Sequence, residues 1–136
     1  MTDFIEWHPN YSVGVATLDG QHKKVVGMIN KLLANPDVDV RSETVSDVLG
    51  ELTAFAFEHF REEERLLEEH GYPGLPEHKE EHRAFRRKVV DLCRAATSHA
   101  ESVPSDLLEF IGRWWIEHVL ASDMRYSSFL EERGVT

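Results

Sequence analysis

Six side chains able to hold a metal ion fall on the apolar stripes of this sequence, where aliphatic residues are expected: His22, His59, Glu63, His78, His82 and His118. His59 with Glu63, and His78 with His82, are four residues apart, a spacing that stacks both members on one helix face about one turn apart. An inward-facing polar group without a partner costs on the order of 1 to 3 kcal/mol, and an isolated buried carboxylate costs more. Either a large hydrogen-bond network or a cation must satisfy these groups. Four separate segments each place such a group on their seam, and that coincidence favours the cation.

Spacing also narrows the chemistry. In His78-Lys79-Glu80-Glu81-His82, Lys79 stands where a zinc metalloprotease needs its general-base Glu. The residues three before His59, His82 and His118 are Ala56, Lys79 and Trp115, so the Glu-x-x-His pairs of ferritin-like di-iron bundles are not encoded. What remains is rich in imidazole and poor in carboxylate. Neutral imidazole suits Fe, Zn, Cu or Ni, and the donors outnumber what one tetrahedral zinc uses, which implies two metals.

The elements that must position these groups follow from the apolar period. Apolar positions repeat every three or four residues through four stretches, at about 19–35, 41–70, 76–98 and 105–133. The second runs Val45, Leu49, Leu52, Ala56, His59, Glu63, Leu66, and the fourth closes on Ser122 and Phe129. Asp19 is expected to cap the first helix, and Gly71-Tyr72-Pro73-Gly74 to end the second. Residues 1–18 lack helical periodicity and read as an extended leader. With short connections between long helices, the expected fold is all-α, an antiparallel up-down-up-down four-helix bundle.

At 136 residues the chain is the size of one domain, taken as 1–136, and its 41% apolar and 29% charged residues suit a packed globule. Fifteen basic against 25 acidic residues give a net charge of −10, which repels nucleic acid and favours a monomer. The apolar runs are far too short to enter a bilayer, and the N-terminus lacks a signal-peptide pattern. With the single Cys93, expected inside a helix, this points to the cytoplasm. His8, His70 and His99 lie off the seams and are assigned no metal role. Within the acidic run Glu62 to Glu69, only Glu63 is expected to face inward.

The ordered set Trp7, Tyr11, Asp19-Gly20-Gln21-His22, His59-Phe60-Arg61-Glu62-Glu63, His78 to His82, Trp114, His118 and Asp123 resembles the hemerythrins, in particular their bacterial single-domain members. The resemblance spans nearly the whole chain. It implies that His78, His82 and His118 bind one iron and His22 and His59 the other, with Glu63, Asp123 and a solvent-derived oxo or hydroxo group bridging the pair. One ion is then saturated and the other keeps an open position, which implies reversible binding of dioxygen as irons cycle between Fe2+ and Fe3+, with no catalytic residues. Ile29, Phe55, Phe60, Trp115 and Val119 are expected to line the pocket over that position. Trp115 stands where the family usually has leucine; its bulk and N–H keep open a preference for NO or peroxide, and with it an oxidoreductase, while a module sensing oxygen or NO through the same site is a separate alternative. Asp123 sits five residues after His118, about 140° around a regular helix. Either a local widening of helix four or a sideways rotamer must bring it in.

Overall fold

The computed structural model describes residues 5–35 and 38–136, and its elements are helical throughout. After a 3-10 turn at Pro9–Tyr11 come α1 (Ala16–Leu33), α2 (Glu43–Glu69), α3 (Leu75–Thr97), α4 (Val103–Arg113) and α5 (Asp123–Glu132). A π-helical stretch, Trp114–Ser122, joins α4 to α5 without a break in helical backbone, so the last two form one rod. Neighbours in sequence pack together and α1 also packs on α4, which closes the ring of four. The architecture is the expected four-helix bundle.

Local chemistry explains the ends. Ser42 caps α2 by accepting from the Val45 N–H at 3.3 Å. At the other end Gly71 adopts φ +71°, and the N–H groups of Gly71 and Tyr72 return to Glu68 and Leu67, a Schellman closure that favours glycine at this position. Pro76 and Pro104 sit in the first turns of α3 and α4, where no N–H is needed.

Asp19 does not cap α1. The helix begins three residues earlier, at Ala16, and the Asp19 carboxylate turns back to accept from Ser12 Oγ at 2.5 Å and the Val13 N–H at 2.9 Å. It ties the leader down instead. Asn30 does the same farther along, exchanging two 2.8 Å hydrogen bonds with the backbone of Ile5. Hydrogen bonds to a charged acceptor contribute about 1.5–3 kcal/mol, so Asp19→Ala is expected to destabilise the fold by about that amount and to raise hydrogen exchange at Val13, measurable by denaturant titration and NMR.

Two apolar clusters make the core. The larger runs from Val25 through Phe55, Phe60, Phe85 and Trp114 to Val119; the smaller gathers Val13, Val15, Leu18, Leu67, Tyr126 and Leu130. Leu67 and Leu130 are fully buried, whereas the expected seam residues Leu66 and Phe129 are only half-buried. A seam stepping in fours and threes drifts against a straight helix of 3.6 residues per turn, and one position of slip at these ends is the result. Cys93 lies in α3, half-buried.

Candidate metal centre

Between the two apolar clusters lies a polar layer. Seven of the eight buried polar side chains among the described residues are His22, His59, Glu63, His78, His82, His118 and Asp123; the eighth is Ser122. α1 contributes His22, α2 His59 and Glu63, α3 His78 and His82, and the last rod His118 and Asp123.

Their ligand atoms form two groups. Glu63, His78, His82 and His118 have donors within 4.8 Å of one another, and so do His22, His59, Glu63 and Asp123. Glu63 belongs to both. Its Oε1 lies 2.5 Å from His78 Nε2 and 3.0 Å from His82 Nε2, while Oε2 lies 3.0 Å from His59 Nε2. Asp123 straddles the groups in the same way: Oδ1 is 2.9 Å from His118 Nε2 and 3.0 Å from His78 Nε2, and Oδ2 is 3.1 Å from His22 Nε2. Each carboxylate thus turns one oxygen toward a three-histidine group and the other toward a two-histidine group.

The π-helical stretch is what delivers Asp123. Its N–H bonds to the carbonyl of His118, an i→i+5 closure in place of i→i+4. The wider turn absorbs the extra residue and brings the fifth side chain back over the first. Of the two devices expected, local widening is present.

Whether these donors suit a cation is decided by their lone pairs. His59 Nδ1 donates to Gln21 Oε1 at 2.6 Å and His82 Nδ1 donates to Glu64 Oε2 at 2.7 Å. In a neutral imidazole the other nitrogen then carries a lone pair, and in both rings that nitrogen faces a Glu63 oxygen. Two lone pairs meeting at 3.0 Å repel unless positive charge stands between them. His82 Nε2, His118 Nε2 and both oxygens of Asp123 are buried without hydrogen-bond partners even though neighbours lie within about 3 Å. Close approach without hydrogen-bond alignment is the mark of donors aimed at a common third point. The set fits a metal ion in each group.

Protonation carries the same signature. Burial opposes charge on His78 and His118, but the close Asp123 and Glu63 carboxylates prevail, holding the imidazoles up at about 10 and about 9. Burial likewise opposes the Glu63 and Asp123 carboxylates, yet the surrounding imidazoles keep both well below the usual carboxylate range. Burial lowers His59. Two protons on His78 and His118 therefore balance two carboxylates in the metal-free chain.

Sequence reasoning passed over the partners behind the ligands. Glu64, placed on the solvated face, instead holds His82 and is only one-fifth exposed. Gln21 holds His59; Glu81 stands 3.2 Å from His118 Nδ1 and is itself anchored by Ser122 Oγ at 2.8 Å. Tyr126, fully buried, donates to Glu63 Oε2 at 2.8 Å, and burial followed by the Glu63 field pushes its phenol well above its usual value, so it remains a donor. Gln21 adjoins His22, Glu64 adjoins Glu63 and Glu81 adjoins His82, and that adjacency was the one available signal. Partners of this kind fix tautomer and ring orientation, so Glu64→Ala is expected to weaken metal binding about 10–100-fold, read by competition with a chelator.

Of the expected pocket residues, Phe55 stacks on His59 with centroids 4.7 Å apart and Phe60 stacks on His82 at 3.8 Å. Ile29 and Val119 are buried in the larger cluster. The Trp115 ring meets Tyr11 edge-on at 5.4 Å and Trp7 at 6.2 Å, pinning the leader. The imidazole of His118 is covered by Trp114, stacked at 3.7 Å. His8 caps the 3-10 turn, His70 ends α2 and His99 occupies a left-handed turn after α3, all outside both groups.

The model of the hemerythrin HHE cation binding domain matches residues 13–130, a span that includes every ligand-type residue of both groups. The chain belongs to the hemerythrin family. A bacteriohemerythrin of Stenotrophomonas maltophilia (strain R551-3) is 28% identical over 121 residues, 89% of this chain and 78% of the relative. One from Clostridium acetobutylicum is 31% identical over 124 residues, covering 88% of this chain and 96% of the relative. A hemerythrin-like protein of Naegleria gruberi is 31% identical over 124 residues, 91% and 92% of the two chains. As a cation-binding hemerythrin domain, this chain has its donor groups where the bundle core would otherwise be apolar. No described helix is long and apolar enough to cross a membrane.

Proposed function

We propose that the domain holds two iron ions and binds dioxygen reversibly, as a carrier, store or delivery protein. His78, His82 and His118 would hold one ion, His22 and His59 the other, and Glu63 and Asp123 would span both. The observation that supports this reading is the inequality of the groups: three imidazoles converge on one side and two on the other, while both carboxylates are shared evenly. When bound, iron supplies a redox-active Lewis acid whose less crowded partner position can take a small molecule.

The chain's own residues do the rest. Burial of all seven donors excludes bulk water, and stacked Phe55, Phe60 and Trp114 fix three of the five rings. Gln21 and Glu64 keep the outer nitrogens of His59 and His82 protonated, so that Nε2 presents a lone pair. Tyr126 donates its O–H to Glu63 Oε2, the oxygen facing the two-histidine group. Trp115 lent the oxidoreductase reading its support, and its ring contacts run to Trp7 and Tyr11, so reversible binding is favoured over turnover.

Metal analysis combined with visible spectra taken anaerobically, under oxygen and after argon purging tests this directly. Two irons per chain and a band that comes and goes with oxygen are expected; a single metal, or oxygen consumed without return, overturns the proposal.

A further inference from the structure

The largest cavity among those described is a groove of about 490 Å³ between α1 and α2, and it reaches His59 of the two-histidine group. Its floor includes Met28, Phe55 and His59, all buried, and Gln21, which holds the His59 ring. The floor is therefore the back of an aromatic-imidazole stack that belongs to the centre itself. Gly27 and Ala54 supply the room: a Cβ built at Gly27 meets nothing within 4 Å. Along the groove, Lys31 and Glu51 pair across the two helices at 2.5 Å, so these lining charges already satisfy one another.

We propose that this groove is an antechamber that takes up a small, neutral, apolar molecule and passes it to the two-histidine group. The proposal rests on the dioxygen reading for the identity of the natural occupant, though not for uptake itself. The lining selects the chemistry. The other lining charges, Lys24 and Glu58, are exposed at the rim, and an ion moving past them to the floor would have to shed water against Met28 and Phe55, whereas a diatomic gas loses nothing on entering. Met28 is a flexible thioether and can shift to let it pass beside Phe55.

The other cavities beside the centre are poorer routes. One of about 290 Å³ reaches His118, on the three-histidine side, where Trp114 lies flat over the ring. Another, of about 260 Å³ beside His78, is lined by Glu77, Glu81 and Arg125 and suits polar occupants.

Xenon is the probe, because it enters apolar cavities and needs no metal. In the metal-free chain with labelled methionine methyls, the Met28 signal is expected to shift with xenon pressure, and Gly27→Leu to abolish the shift. In the iron-loaded protein, Gly27→Leu is expected to slow dioxygen uptake and release at least tenfold each while leaving the equilibrium and the iron content unchanged. Ala84→Leu, which fills the cavity beside His118, changes neither rate. An unmoved Met28 signal, a shift that survives Gly27→Leu, or unaltered rates in that variant would overturn the proposal. Xenon uptake at Met28 in a wild type that takes up no dioxygen sinks the gas-carrier reading and leaves the groove as an apolar binding site.

Discussion

Glu63→Gln is expected to cut bound iron from two ions per chain to well below one. Glu63 donates to both groups, and it serves them through different oxygens. An amide of the same shape has one oxygen and one NH2, and the NH2 cannot face a cation, so whichever way it turns one group loses a donor. Tyr126 selects the orientation: its O–H must still find an acceptor in a fully buried place, which puts the amide oxygen toward the two-histidine group and the NH2 toward His78 and His82. The stronger group is then the one damaged. His59→Ala makes the contrast, since it leaves the three-histidine group intact and is expected to retain close to one ion. Metal content with far-UV circular dichroism as a check on folding separates the two. Equal losses in both variants, or two ions retained by Glu63→Gln, would show that Glu63 is not shared.

That arrangement was legible in the sequence to an uneven degree. The imidazoles and Glu63 could be read because helical period alone assigns each to a face, and a polar residue on an apolar face is conspicuous. Asp123 could not be read that way: regular geometry turns it away, and only the π-helical closure onto the His118 carbonyl brings it back. Its placement came from resemblance, and its physical reason from backbone geometry. Gln21, Glu64 and Glu81 escaped for another reason. Each sits on the flank of its helix, where whether a side chain meets solvent or a neighbouring imidazole depends on how two helices pack, which period does not encode. Asp19 shows the converse failure. Its residue type and position are right for a cap, but the competing demand of the leader's N–H and hydroxyl groups claims its carboxylate.

Removing the metals is expected to give a chain whose stability falls on the alkaline side, where the loaded protein holds. In the metal-free state His78 and His118 titrate near 10 and 9, above the ordinary histidine value of 6.5. A raised folded pKa means that the folded state binds the proton more tightly than the unfolded chain does. The stabilisation is fully present below about pH 6.5 and is lost as pH rises through 9 to 10. Glu63 and Asp123 have the opposite sign: with depressed folded values, their contribution is present above about pH 4 and is lost on further acidification. Bound metal replaces the two protons as counter-charge, so alkali no longer strips the centre of positive charge, while acid now competes with metal for the imidazoles. Metal that binds only the folded state adds about 4 kcal/mol at a thousandfold excess over its dissociation constant. Thermal melts at pH 6.5 and 9.5 are therefore expected to show a gap between loaded and metal-free protein that widens at the higher pH. Adding Fe2+ anaerobically to the metal-free chain at pH 7.5 should release about two protons from His78 and His118, counted in a weakly buffered titration. A gap that narrows with rising pH, or metal uptake without proton release, would mean that these two imidazoles do not carry the charge that the metals displace.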